Sequence, residues 1–158
     1  MKKLHIFLAL TCILLSAMGC IHRQGTNQPV TAFEQVMVWN DALAQTNNHI
    51  ARGIIDVSPS LIAPEKAIVV LRAQKSIAVI DEQITAILKQ GPEAAKLNSA
   101  GLQALLNQLS ESITTLVNSG VIGIKNPATQ QTFDTDIRVV STLVENILSG
   151  LRQAGVVQ

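Results

Sequence analysis

The sequence predicts an all-α protein, an up-down-up-down four-helix bundle that follows an N-terminal signal peptide and a short tether. Three observations predict it. Apolar side chains recur in steps of three and four along four segments of similar length, a spacing that only helix geometry gathers on one face. Capping and breaking residues punctuate those segments. The chain also opens with a charged start, a short apolar middle and a small-residue exit, which is the layout of an export signal.

Lys2 and Lys3 precede an apolar run from Ile6 to Leu15, and Ser16, Ala17 and Gly19 lead from it into Cys20. The run falls well short of the roughly 20 apolar residues that span a bilayer, so residues 1–19 read as a signal that is removed. The segment Leu15-Ser16-Ala17-Met18-Gly19-Cys20 resembles the end of a bacterial lipoprotein signal peptide. Gly19 and Cys20 fit that pattern, while Ala17 and Met18 depart from it. The resemblance implies cleavage just before a cysteine that carries diacylglycerol. It further implies a membrane anchor of fatty acyl chains such as palmitate on Cys20. Because Ile21 rather than aspartate follows, it implies an outer-membrane position facing the periplasm where the cell has two membranes. Cys12 leaves with the signal, so the mature chain keeps Cys20 alone and forms no internal disulfide. The alternative is ordinary cleavage, giving a secreted or soluble periplasmic protein with a free or intermolecularly paired thiol.

Loss of Lys2 and Lys3 from the 12 basic residues leaves them nearly balanced against 11 acids. The remaining cations are scattered and tyrosine is absent, so neither a basic field nor a stacking platform for nucleic acid exists. Residues 20–30 form a polar tether after the lipidated cysteine, with Gly25, Asn27 and Pro29 opposing helix. His22 and Arg23 there read as solvated. Residues 31–154 are the bundle.

The first helix, about 31–57, starts at a capping box made by Thr31 and Glu34. Phe33 and Ile54 lie on one of its apolar rows, and Val36, Leu43, Ile50 and Val57 on the other. Gly53 weakens it, but Ile54 and Val57 keep the phase. The second helix, about 64–90, is announced by Pro64 and Glu65 at its first turn. Its seam is Val70, Ala73, Ile77, Ile80, Ile84 and Ile87. Gly91-Pro92 ends it abruptly, so the third helix, about 92–118, runs back beside it. That helix carries Ala95, Leu102, Leu106, Leu109, Ile113 and Leu116 and stops at Gly120. The fourth, about 128–151, repeats the pattern with Phe133, Ile137, Val140, Val144, Ile147 and Leu151. Steps averaging 3.5 favour near-parallel axes with interdigitating seams.

Metal and catalytic chemistry find little material. A di-iron bundle needs two Glu-x-x-His pairs and two further glutamates, whereas the mature chain holds only His22 and His49. No acid stands three or four residues from His49, which reads as a flank residue, so neither a metal nor another cofactor is expected. Asp81 with Glu82, and Asp134 with Asp136, fall outside the seams and read as solvated. No Gly-rich phosphate loop or Gly-x-Ser-x-Gly elbow occurs, and the chain reads as a non-enzyme.

Asn40 and Asn47 sit on the Phe33–Ile54 row, where a polar residue either fixes register or lines an internal pocket. The simplest arrangement is a small rotation that fills the interior with Met37, Ala44 and Ala51 and turns both amides to the edge. Trp39 reads as the rim of the core.

Antiparallel alternation places the loop after the first helix and the loop after the third at the end opposite the tether. Both are apolar, with Leu61 and Ile62 in one and Val121, Ile122 and Ile124 in the other. Either they fold over the bundle as a plug, or they form a patch for a protein partner or a second copy. The leading functional expectation is a lipid-anchored helical-bundle interaction or structural module of the bacterial cell envelope. The alternative is a carrier holding a small apolar ligand between helices, lined by Ile80, Leu106 and Val144 with Asn40 as polar contact.

Overall fold

A computed structural model describes residues 30–57, 63–118, 124 and 126–158. Among these residues every regular element is helical: α1 (Ala32–Val57), α2 (Pro64–Leu88), α3 (Pro92–Leu97), α4 (Ser99–Asn118) and α5 (Pro127–Gln153). Four are long, and α3 is a single short piece.

Local chemistry explains each boundary. At the start of α1 the Thr31 amide donates to Glu34 Oε2 at 2.9 Å and the Glu34 amide donates to Thr31 Oγ1 at 3.2 Å, a reciprocal pair that satisfies two otherwise orphaned donors. The helix then runs through Gly53 to Val57. Helix α2 opens with Pro64 in its first turn, behind an extended Ala63 that supplies no side-chain cap. It closes where Gly91 takes a φ of 94°, a backbone region that glycine enters without a Cβ penalty.

The expected single helix over residues 92–118 is divided at Asn98. Its side-chain amide donates to the Ala94 carbonyl at 2.8 Å, competing with the helical ladder in the way characteristic of asparagine. Its own backbone relaxes to φ −99°, ψ 19°, and α4 starts afresh at Ser99. Helix α5 begins one residue earlier than the apolar period indicates. Asn126 Oδ1 accepts from the amides of Ala128 and Thr129 at 3.0 and 3.1 Å, and Pro127 occupies the first helical position, where no amide is needed.

The C-terminus of α5 is equally well defined. Gly155 has a φ of 66°, its amide donates to the Arg152 carbonyl, and the Val156 amide donates to the Leu151 carbonyl. This pair of bonds is a Schellman motif. It folds Val156 and Val157 back onto the core, where both are buried, so the packed domain extends past residue 154 to include them.

Helix α1 packs on α2 and α5, α2 also packs on α4, and α4 packs on α5. Cross-helix pairs fix the directions. Asn40 meets Thr85 while Asn47 meets Gln74, so α1 and α2 are antiparallel. The approach of Val36 and Trp39 to Gly150, together with that of His49 to Asp136, makes α1 and α5 antiparallel as well. Residues on the seam rows of all four long helices close one apolar core, including Val36, Leu43, Ile77, Ile84, Leu102, Leu109, Val140 and Ile147. Many of its members are β-branched and mediocre helix formers, so tertiary burial carries the helices more than intrinsic propensity does.

Gly150 marks the closest approach. A Cβ at this position would lie 2.6 Å from Val36 Cγ2 and 2.8 Å from Trp39 Cζ3, and neither a β-branched side chain nor an indole can swing away cheaply. Gly101 also lies inside a helix, but a Cβ there meets nothing within 4 Å. One substitution therefore has opposite signs at the two sites. Gly150→Ala is expected to lower stability by about 1–3 kcal/mol through overpacking, and Gly101→Ala to raise it by about 0.5–1 kcal/mol. Urea unfolding followed by circular dichroism measures both; equal effects would remove the close approach of α1 and α5.

Candidate functional site

The feature of the core that aliphatic packing does not explain is a row of polar side chains along the α1–α2 seam. Asn40 and Asn47 on α1 are 2% and 3% exposed, and Gln74 and Asp81 on α2 are 2% and 5% exposed. Each pair is spaced by seven residues, so each forms a strip along one helix face. The antiparallel register sets the two strips opposite each other.

Two hydrogen bonds tie the strips together. Asn40 Nδ2 donates to Thr85 Oγ1 at 2.6 Å, and Asn47 Nδ2 donates to the backbone carbonyl of Gln74 at 2.9 Å. The expected rotation of the first helix, with both amides at the edge, is thereby corrected. Both point inward because α2 offers each one an acceptor, and Met37, Ala44 and Ala51 are only part-buried.

The seam is only partly satisfied. Asn40 Oδ1, Asn47 Oδ1, Asp81 Oδ1 and both polar atoms of the Gln74 side chain are buried without a hydrogen-bond partner among the described residues. Each such group costs about 1–3 kcal/mol of desolvation. The row is thus a weak line in a largely apolar core, and it is rich in acceptors.

Asp81 also corrects the expectation of a solvated carboxylate. Burial, reinforced by the negative charges of Asp41 on α1 and Glu82 on α2, pushes its carboxyl up to about 7 from an ordinary 3.8. Asp136 on α5 is likewise buried rather than solvated, at 6% exposure. Burial raises its carboxyl, and neighbouring His49 pulls it part of the way back. His49 Nε2 stands 3.8 Å from Asp136 Oδ2, with nearly half of the imidazole still in water. His49 therefore has an acidic partner across the α1–α5 contact that no residue on its own helix supplies.

Four of the five residues expected to form the distal patch, Leu61, Ile62, Val121 and Ile122, lie outside the described residues. Ile124 is placed, and it is buried in the core, so this residue is not part of an exposed surface. Of the alternative ligand lining, Ile80, Leu106 and Val144 are all packed in the core, and Asn40 is committed to Thr85 through its amide. Among the described residues no three His, Cys, Asp or Glu side chains converge on a position that could hold a metal ion, and no helix is long and apolar enough to cross a membrane. Cys20 lies outside the described residues. Trp39, partly buried against the core, lies beside Gly150, and its buried indole nitrogen has no hydrogen-bond partner among the described residues.

Compared with family models, curated proteins and solved structures, the chain matches none.

Asp81 makes stability depend on pH with a defined sign. Between its ordinary value of 3.8 and its folded value of about 7, the native state holds a proton that the unfolded chain has released. Stability therefore falls as pH rises through this window, and the cost is fully present above it. Asp81→Asn, which cannot ionise, is expected to remove about 2 kcal/mol of the loss between about pH 5 and pH 8. Urea titrations of both proteins at the two pH values measure this. A parallel pH dependence in the two proteins would mean that Asp81 is ionised and hydrated in the native state.

Proposed function

We propose that this chain is a lipid-anchored helical-bundle interaction module of the bacterial cell envelope. In this reading the four long helices make an up-down-up-down bundle, Cys20 carries the acyl chains, and residues 21–30 tether the domain to the membrane. Two parts of the molecule support it. The amino-terminal segment resembles a lipoprotein signal and ends in the only cysteine of the mature chain. The end of the domain farthest from Thr31 presents large apolar side chains to solvent.

That second feature carries the interaction reading. Ile55 near the end of α1, Ile68 and Val69 near the start of α2, and Val117 near the end of α4 are all exposed. The antiparallel register brings these helix ends together. Single exposed apolar residues are ordinary, but several gathered at one end of a small domain form the kind of surface that marks a contact site. The opposite end carries the capped start of α1, from which the chain leads back to Cys20.

The test uses the full chain expressed in a bacterium. Intact-mass analysis of the mature protein is expected to show Cys20 bearing diacylglycerol. A photocrosslinker at Ile55 or Ile68 is expected to capture one defined partner, whereas the same group at Val79, mid-way along α2, captures none. Combining Ile55→Ser with Ile68→Ser is expected to abolish capture from Val69 while changing stability by no more than about 0.5 kcal/mol per site. An unmodified Cys20 contradicts the anchor, and indistinguishable capture from Ile55, Ile68 and Val79 contradicts the interaction surface.

A further inference from the structure

We infer that Leu97, adjacent to Lys96, is a membrane-contacting tip that seats the tether end of the domain on the lipid surface. The inference rests on the lipid anchor proposed above and adds a second, protein-borne contact to it.

Leu97 is 89% exposed, the highest value among the large apolar side chains of the described residues. Its placement follows from α3. Ala95 points into the core and is fully buried. Two residues further on, a helix of 3.6 residues per turn has swung round to its outer side. Core packing therefore makes no demand for leucine at residue 97.

The position of α3 relative to the tether is fixed by register. Asn47 meets Gln74 and Asn40 meets Thr85, so continuing in the same direction sets Leu88 level with the first turns of α1. The Gly91 turn then places α3 at that same end of the domain. The described chain begins there too, at Val30, and the roughly ten residues back to Cys20 reach at most about 36 Å when fully extended. With acyl chains on Cys20 this end is held close to the bilayer. The far end is about 39 Å further along α1.

The charges nearby suit a lipid surface. Lys96, immediately before Leu97, and Lys89, just past the end of α2, are both exposed, with Glu93 as the acid between them. Arg152 at the same end is turned onto the last residue, its Nε donating to the Gln158 carbonyl oxygen at 3.2 Å. Glu34 is engaged by the Thr31 amide. A lysine next to an exposed leucine lets the apolar tip enter the interface while the ammonium group remains among the head groups. One leucine would not hold a free protein on a membrane. Beside a lipid anchor its effective concentration is already high, so it need only select an orientation. That orientation aims the Ile55, Ile68 and Val117 end away from the bilayer.

The experiment takes the full-length protein processed by a bacterium, carrying Leu97→Cys labelled with an environment-sensitive NBD fluorophore. The acylated Cys20 has no free thiol, so the label is unique. The protein is reconstituted into phosphatidylethanolamine–phosphatidylglycerol vesicles with and without brominated acyl chains, and the mass of the Cys20 peptide is measured on the same sample. The expected result is a blue-shifted NBD emission that loses about half its intensity to brominated lipid, as for a group at the head-group–acyl boundary. The same label at Val69 is expected to stay unquenched. Water-like emission at residue 97 on a protein whose Cys20 is acylated overturns this inference and leaves the anchor standing. An unacylated Cys20 overturns the anchor and this inference together. Equal quenching at residues 97 and 69 shows the domain lying flat and also overturns it.

Discussion

The register of α1 against α2 is the constraint on which the remaining arrangement rests. Two side-chain amides on one helix reach a hydroxyl and a backbone carbonyl on the other, and sliding either helix by one turn breaks both bonds. Aliphatic rows alone tolerate such slips, because leucine and isoleucine pack nearly as well one turn along. Polar groups at core positions specify register at the expense of stability, and the unpartnered oxygens of Asn40, Asn47, Gln74 and Asp81 are that expense. Once α1 and α2 are registered, the Gly91 turn and α3 fall at the end where α1 begins, and Ile55 and Ile68 fall together at the other.

The α1–α5 contact works on a different principle. There Gly150 lets Val36 and Trp39 approach closely, and the specificity is steric rather than polar. Helix α1 thus reads two neighbours by two means, hydrogen bonds on one flank and a missing Cβ on the other. The combination fixes α1 against both of its neighbours.

Much of the framework was legible in the sequence because it is written locally. The Thr31–Glu34 capping box, the proline at the start of α2 and the heptad rows in each long helix all depend on neighbours within a few turns. Asn126-Pro127 was equally legible as a cap followed by a first-turn proline, although the apolar period alone places the start of α5 later. The split at Asn98 turns on a side chain competing with its own backbone, which periodicity does not register. The polar seam was harder to see, since the groups that draw Asn40 and Asn47 inward are 45 and 27 residues away along the chain. One signal did exist: Gln74 and Asp81 repeat on α2 the same seven-residue polar spacing that Asn40 and Asn47 show on α1, and two matching polar strips on consecutive antiparallel helices are complementary. Asp136 carried no comparable mark, because its partner His49 lies in another helix and only the tertiary fold joins them.

The most direct test of this account is nuclear magnetic resonance of the side-chain amides of Asn40 and Asn47. Buried in the seam, their protons should exchange with water far more slowly than those of exposed Gln131, and should show cross-relaxation to Thr85 and to the residues around Gln74. Rapid exchange of both amides, with cross-relaxation confined to α1, would place them at the edge and contradict the register from which both ends of the molecule are assigned.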